Sequence, residues 1–518
     1  MDPENKKIKP EEDFSDSTVF SKKEVTYKKS AKKGSKKTIV IMLSLALVLG
    51  IISSIIVFFT KNTPTTDVDN KTSTVEVFNF DAKNIAAFNI KNEYGILNFT
   101  SVTGKDESGS TTYSWNFNNY PSSLISDAYI SSVADKVASL SAIREMSGDS
   151  SDAVYGLNSP IIIVSVTGRD GLSDYKIMVG NKSPDGSGNY TTTSLNNKVY
   201  LVAASTIESF NATPEITANN SLITPESSDT LPEQYLSNNN NLDHVDTLKI
   251  SGQFFEKPVS IIHTDNPLAS YKVIAPIERY ANFDNVGNVT SILNNGLVAT
   301  DCYKLLPNSA DIKKYRMDKP DMIVEMSYAG KTIKLSLSKY ETDDVGTNYY
   351  SLMISGKNAV YKIDADALPF IALRLNDFYN QYVFLEEISS FKNITLNDTK
   401  KSYSFDISYD EKKNLTSEKY GDKDINDTIF RTYFDYFLYL KPTLDENAKQ
   451  NGLAFSATFT YRNTAKGKIV LEIYNYNARK YIVKIDGNEV GVINYTYFDN
   501  FTQNIQKMID GKNIPEII

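Results

Sequence analysis

Tyr155-Gly-Leu-Asn-Ser-Pro160, followed by Ile161-Ile-Ile-Val-Ser-Val166, is the stretch on which the fold turns. Proline has no backbone N–H and pushes the residue before it into an extended conformation, so it suits the start of a strand and disfavours the middle. The stretch therefore launches a strand and sets its register, a structural role that outweighs a ligand site.

The same arrangement recurs. Tyr315-Arg-Met-Asp-Lys-Pro320 precedes Asp321-Met-Ile-Val-Glu-Met326. Three later landmarks follow both copies in one order: 174–180 and 331–337, then 188–190 and 346–349, then 199–210 and 360–371. Upstream of each copy, short strand-like runs lead to a helical pattern, 126–146 in the first and 283–297 in the second. In the first helix Ile130, Val133, Val137, Leu140 and Ile143 recur at spacings of three and four, an apolar stripe. A third, fainter series keeps the element order, with a helix at 425–440 and strands at 403–409, 453–461, 468–476, 480–486 and 490–498, but it lacks the proline lead-in.

Length agrees with this division, since 518 residues imply about three domains at roughly 150 residues each. With 33 Tyr and 25 Phe the chain favours strands over long helices. The formal net charge of −8 argues against nucleic acid, which needs basic patches to neutralise phosphates. A single cysteine, Cys302, excludes an intrachain disulfide, so stability has to come from core burial.

The run 38-TIVIMLSLALVLGIISSIIVFFT-60 carries no charge and is long enough to cross a bilayer as a helix. Lysines crowd its N-terminal side, so the positive-inside pattern predicts a single-pass signal anchor with a cytoplasmic N-terminus and extracellular C-terminal domains. The expected organisation is a Lys-rich tail at 1–37, a transmembrane helix at 38–60, a tether at 61–76, a first module at 77–210, an Asn/Pro-rich linker at 211–243, a second module at 244–371 and a divergent third at 372–518. The expected fold class is α+β: the transmembrane helix followed by two or three repeated modules, each a mainly antiparallel sheet with one packed helix.

The signature Tyr155-Gly-Leu-Asn-Ser-Pro160, Val179-Gly-Asn-Lys-Ser-Pro-Asp-Gly-Ser-Gly-Asn-Tyr190 and Val199-Tyr-Leu-Val202 resembles the bacterial domain of unknown function 4340. The resemblance covers about 78–210 well, the second module in part and the third hardly at all. It implies an envelope protein that begins with a membrane helix and is often associated with ABC-type export systems, including auxiliary components of gliding-type machinery. It implies no catalytic residues.

Chemistry is sparse in the sequence. His244 and His263 are the only histidines, and neither has a second ligand at metal-binding spacing. His263 reads as a packed strand residue and Cys302 as a small buried hydrophobe. The stretch 184-PDGSGNY-190 lacks the flanking elements of a phosphate loop and reads as a hairpin turn. Glu341, Asp343 and Asp344, then Asp364 and Asp366, then 421-GDKDIND-427, lack the EF-hand pattern and read as solvated acidic loops or helix caps. The aromatic runs 432–440 and 495–501 read first as packing residues.

No catalytic, cofactor-binding or metal residue is therefore expected, and no cofactor. The expected function is a non-enzymatic, membrane-anchored docking component of an envelope or ABC-type transport complex, with the lipid bilayer and an integral-membrane transporter as partners. The alternative is a carbohydrate-binding or adhesion module. That alternative predicts exposed aromatic rings in a concave face, with Trp115, the only tryptophan, as a probe.

Overall fold

In the computed structural model the described residues are 74–410, 415–445 and 448–516. The described residues form one compact body.

Unit 1 begins with β1 (Val75–Asn79), then a meander of β2 (Ile85–Asn92), β3 (Gly95–Lys105) and β4 (Thr111–Phe117). Helix α1 (Asp127–Ala138) follows, capped by the Ser126 side chain accepting from the Tyr129 N–H. After β5 (Ser139–Ala142) and β6 (Arg144–Glu145) comes a second meander: β7 (Ile162–Gly168), β8 (Tyr175–Lys182), β9 (Gly188–Thr193) and β10 (Val199–Ala203), then the short helix α2 (Ala204–Glu208). The main sheet runs β4-β3-β2-β7-β8-β9-β10-β6, all antiparallel, and β1 pairs with β5 in a small sheet of its own.

Unit 2 repeats this topology. Its small sheet joins β11 (Ser221–Ile223) to a later strand, and its meander is β12 (Thr247–Ser251), β13 (Val259–His263), β14 (Tyr271–Ala275) and the two-residue β15 (Arg279–Tyr280). Helix α3 (Phe283–Asn295) leads to β16 (Leu297–Val298), the partner of β11, and to β17 (Asp301–Leu305). Helix α4 (Ser309–Lys314) precedes β18 (Met322–Tyr328), β19 (Lys331–Thr342), β20 (Asn348–Ile354) and β21 (Lys357–Asp364), giving the order β15-β14-β13-β12-β18-β19-β20-β21-β17.

Unit 3 is built from β22 (Phe391–Asp398), β23 (Ser402–Tyr409), β24 (Leu415–Tyr420), β25 (Lys423–Asp424), helix α5 (Asp427–Leu438), β26 (Leu453–Tyr461), β27 (Lys468–Asn477), β28 (Lys480–Ile485), β29 (Asn488–Asn494) and helix α6 (Tyr495–Ile509). Its sheet runs β25-β24-β23-β22-β26-β27-β28-β29. Where units 1 and 2 close the far edge with β6 or β17, unit 3 has one bridge between Thr443 and Val492.

Helix and sheet meet through apolar faces. Val286, Val289, Ile292 and Leu293 of α3 are buried, each worth roughly 1.5–3 kcal/mol on transfer from water. One continuous apolar core runs through units 1 and 2, from Phe78 to Tyr379, and a second fills unit 3. Units 2 and 3 are stitched by Tyr280, whose hydroxyl donates to Glu386 at 2.8 Å, and by buried Arg279, which donates to the Asn380 carbonyl at 2.7 Å.

The expected fold class needs correction. The described residues build five antiparallel sheets, two of them two-stranded, and the first two units share one core instead of each burying its own. Among the described residues no helix is long and apolar enough to cross a membrane. The longest described helix, α6, has 15 residues, about 22 Å, against the ~30 Å of a bilayer core. The stretch 38–60, on which the transmembrane and signal-anchor reading rested, lies outside the described residues. The single-pass placement, with a cytoplasmic N-terminus and extracellular C-terminal domains, loses its structural basis with it.

Two element boundaries also differ. The expected helix at 126–146 stops at Ala138, because Ser139-Leu-Ser-Ala alternates exposed and buried positions and pairs with β1 as a strand. At the other end of the chain, 495–498 is the first turn of α6 instead of the end of a strand, with Asn494 accepting from the Tyr497 N–H as the cap.

The Tyr-to-Pro lead-in is structural. Tyr155 is buried edge-on to Tyr190, ring centroids 4.8 Å apart, in a small cluster with Leu157, Val199 and Leu201. Gly156 adopts φ +67, a left-handed conformation that favours glycine, and its Cβ would strike the Asn181 side chain. In unit 2 the matching cluster is Tyr315, Met317 and Val360, and Arg316 takes the left-handed position at φ +60.

Candidate functional site

The segment between the small sheet and the first meander strand differs sharply between units. In unit 1 residues 80–84 connect β1 to β2; in unit 2 residues 224–246 connect β11 to β12. That insertion contains most of the expected linker, and it is ordered. Leu231 and Leu242 are buried in the shared core, Leu236 and Leu242 form an antiparallel bridge, and 238-NNN-240 is the tip of the resulting small hairpin. Glu226 accepts from the Tyr328 hydroxyl and from Lys331 Nζ, both at 2.8 Å, which anchors the start of the insertion to β18 and β19.

The end of the insertion is held against α3 by Asn294. Its Oδ1 accepts from the Leu242 N–H at 2.9 Å and its Nδ2 donates to the Leu242 carbonyl at 3.0 Å, a side chain replacing a neighbouring strand. Between the insertion and the helix lies a cleft of 370 Å³, lined by Asn241, His244, Tyr271, Phe283, Ser291 and Asn295 among others. Phe283, Gly287, Thr290, Ser291 and Asn294 form one stripe along α3 at helical spacing.

Two members of that stripe run against local preference. Gly287 sits in mid-helix, where glycine costs roughly 1 kcal/mol relative to alanine, and a Cβ there would meet nothing within 4 Å. Phe283 is 61% exposed at the mouth of the cleft. Gly287 keeps the cleft open and Phe283 presents an exposed ring to it.

The opposite wall is a column of rings. The two histidines stack face to face, centroids 3.8 Å apart and planes 16° apart. Tyr235 stacks on His244 at 5.0 Å, and Tyr271 meets His263 edge-on at 5.6 Å. Strand register brings the histidines together: Thr247 faces Ile262, and the His263 N–H donates to the Asp246 carbonyl. His244 Nδ1 lies 3.2 Å from Asp243 Oδ2, while Asp246 accepts the Tyr235 hydroxyl at 2.8 Å. Burial, and then the neighbouring His244, hold His263 below its ordinary pKa of 6.5. Burial pushes the Tyr271 phenol up to about 12, and its oxygen accepts from the Val245 N–H.

Other residues considered from the sequence lie elsewhere. Cys302 is buried and its thiol is pushed up to about 12 by burial. Asp185 orders the 183–187 turn by accepting from Ser183 and Ser187, which draws its carboxyl down to about 2. Asp343 accepts from the Val345 and Thr347 N–H groups, Glu341 pairs with Lys362 at 2.6 Å, and Asp364 caps a turn. Among the described residues no group of three or more His, Cys, Asp or Glu is placed to hold a metal ion. The aromatic run on α5 buries Tyr433, Phe434, Tyr436 and Phe437, and Phe498 of α6 stacks on Tyr481 at 3.9 Å. Trp115 is buried against Phe88 in unit 1.

Sequence reasoning missed this cleft because it treated 211–243 as a spacer and weighed each histidine alone. Two signals pointed to it: a glycine in the middle of a helical pattern, and the confinement of both histidines to a 20-residue span. Compared with known proteins, no family model matches this chain, and no curated protein and no solved structure matches it.

Proposed function

We propose that this protein is a non-catalytic binding protein whose unit 2 cleft takes a neutral, polyhydroxylated ligand, a glycan. The observation that carries this reading is the composition of the lining: the exposed ring of Phe283, with His244 and Tyr271 beside it, next to neutral amides and hydroxyls, with one carboxylate, Asp243, and no lysine or arginine among the described residues. A sugar ring presents C–H faces to aromatic rings and hydroxyls to groups that both donate and accept, which is what Asn241, Asn295 and Ser291 offer. The volume of 370 Å³ falls within the roughly 300–1,000 Å³ of small-molecule sites.

Calorimetric titration of the full chain with maltose, cellobiose and chitobiose tests it. At least one binds at neutral pH, and Gly287→Phe, which fills the open space above the helix, abolishes binding while the thermal midpoint stays within a few degrees. Absence of binding to all three, or equal binding to the filled variant, overturns the proposal.

A further inference from the structure

One ring that lines the cleft, His244, stacks on His263, and these two are the only histidines of the chain. We infer that the His244–His263 stack is an acid-operated wall: neutral or singly protonated, it stays stacked and the cleft keeps its shape; protonated on both rings, it comes apart and the ligand is released. The inference rests on the glycan reading for the identity of the ligand, and on the ring geometry alone for the movement of the wall.

The geometry sets the cost of charging both rings. Asp243 lies 3.2 Å from His244 Nδ1, whereas burial and then His244 hold His263 below its ordinary pKa. Protons on both rings place two like charges face to face at the 3.8 Å centroid separation, where they repel. The groups facing His263 offset this only in part. Asp243 also acts on His263 but sits against His244 Nδ1, Asp246 already accepts the Tyr235 hydroxyl, Asp265 follows just after the strand, and Tyr271 from β14 is a neutral phenol held protonated by burial. Beyond Tyr271, α3 contributes the uncharged ring of Phe283, and Lys272 of β14 is paired with Glu278. His244 lines the cleft, whereas His263 stands behind it, so separating the rings displaces the cleft wall directly.

With two histidines in the chain, each imidazole gives its own Cε1–H signal in a ¹H–¹³C spectrum of the full-length protein. Without ligand, the two signals titrate as a coupled pair in two steps, and the backbone amides of Ser291 and Asn295 move with the second, more acidic one. In His263→Phe, which keeps a stacking ring but cannot take the proton, the second step and the amide shifts vanish. For whichever disaccharide binds at neutral pH, affinity falls about tenfold per pH unit below the second step in the native chain and stays flat in His263→Phe. Independent single-step titrations of the two rings, or cleft amides that do not move, overturn the wall; so does acid loss of affinity that persists in His263→Phe. If no disaccharide binds but the rings and amides behave as described, the glycan reading fails and the acid-operated wall stands.

Discussion

Units 1 and 2 share a strand order, a capped helix and a left-handed lead-in, and they differ most in one connection. Five residues lead from β1 to β2, whereas twenty-three lead from β11 to β12 and fold into a cleft wall. Helix α1 and helix α3 pack on their sheets through the same kind of apolar face, yet only α3 carries an open glycine and an exposed aromatic ring on the side the insertion faces. The comparison shows a scaffold kept by buried residues and a site added by a loop laid against it. Substitutions can therefore separate what holds the scaffold from what makes the site.

The largest effect belongs to the scaffold. Gly180 lies against the Tyr155 carbonyl, and any Cβ would run into that oxygen. Its register counterpart in unit 2 is Ser338, whose hydroxyl donates to the Arg316 carbonyl at 2.8 Å and accepts from the Asp321 N–H. Gly180→Ser is expected to cost about 3 kcal/mol in urea unfolding and Ser338→Ala about 1.5 kcal/mol. Equal costs would mean that the two lead-ins are not equivalent.

Asn294→Ala removes the clamp between insertion and helix and imitates unit 1, where Ala138 ends α1. The expected loss is about 2 kcal/mol, because the two Leu242 backbone groups lose their partner, and hydrogen exchange should show 235–244 losing protection while unit 1 is unchanged.

Unit 3 sharpens the comparison on the acid side. Burial, and then a hydrogen bond with Asp427, push the Glu418 carboxyl up to about 7 from 4.5. The folded state keeps a proton that the unfolded chain gives up above pH 4.5, so stability is full at acid pH and falls as pH rises towards about 7. Glu418→Gln should therefore add about 2 kcal/mol at pH 8 and nothing below pH 4.5. His263 has the opposite sign: its folded pKa is depressed, so unit 2 is stable above pH 6.5 and loses stability as pH falls below it. Scanning the unfolding midpoint against pH should show both slopes, and in His263→Phe the acid-side slope just below pH 6.5 is absent while the one in the carboxylate range remains.

The smallest effect is a gain. Gly287→Ala places a methyl in open space on a helix and should stabilise by about 0.5–1 kcal/mol, leaving the cleft accessible. A loss of stability would mean that the glycine meets a backbone demand instead of keeping the cleft open.

Much of the scaffold was legible in the sequence, since Tyr155, Pro160, Gly180 and Gly188 mark backbone positions that tolerate few substitutes, and their echoes at 315–349 expose the repeat. The site was not legible for a physical reason. His244 and His263 lie 19 residues apart and on different elements, and only the register of β12 with β13 makes them touch. Leu231 and Leu242 look like stray hydrophobes in a polar spacer until the shared core is there to bury them. Composition separates spacers from folded segments only when the apolar residues of an insertion are too few to matter, and here two leucines, a carboxylate clasp and one asparagine suffice.

The most direct measurement is hydrogen exchange of the full chain with and without a bound disaccharide. The account predicts protection at 241–244 and 283–295, and none at the corresponding unit 1 segments 80–84 and 127–138. Protection spread equally over both units, or confined to unit 1 or unit 3, would contradict it.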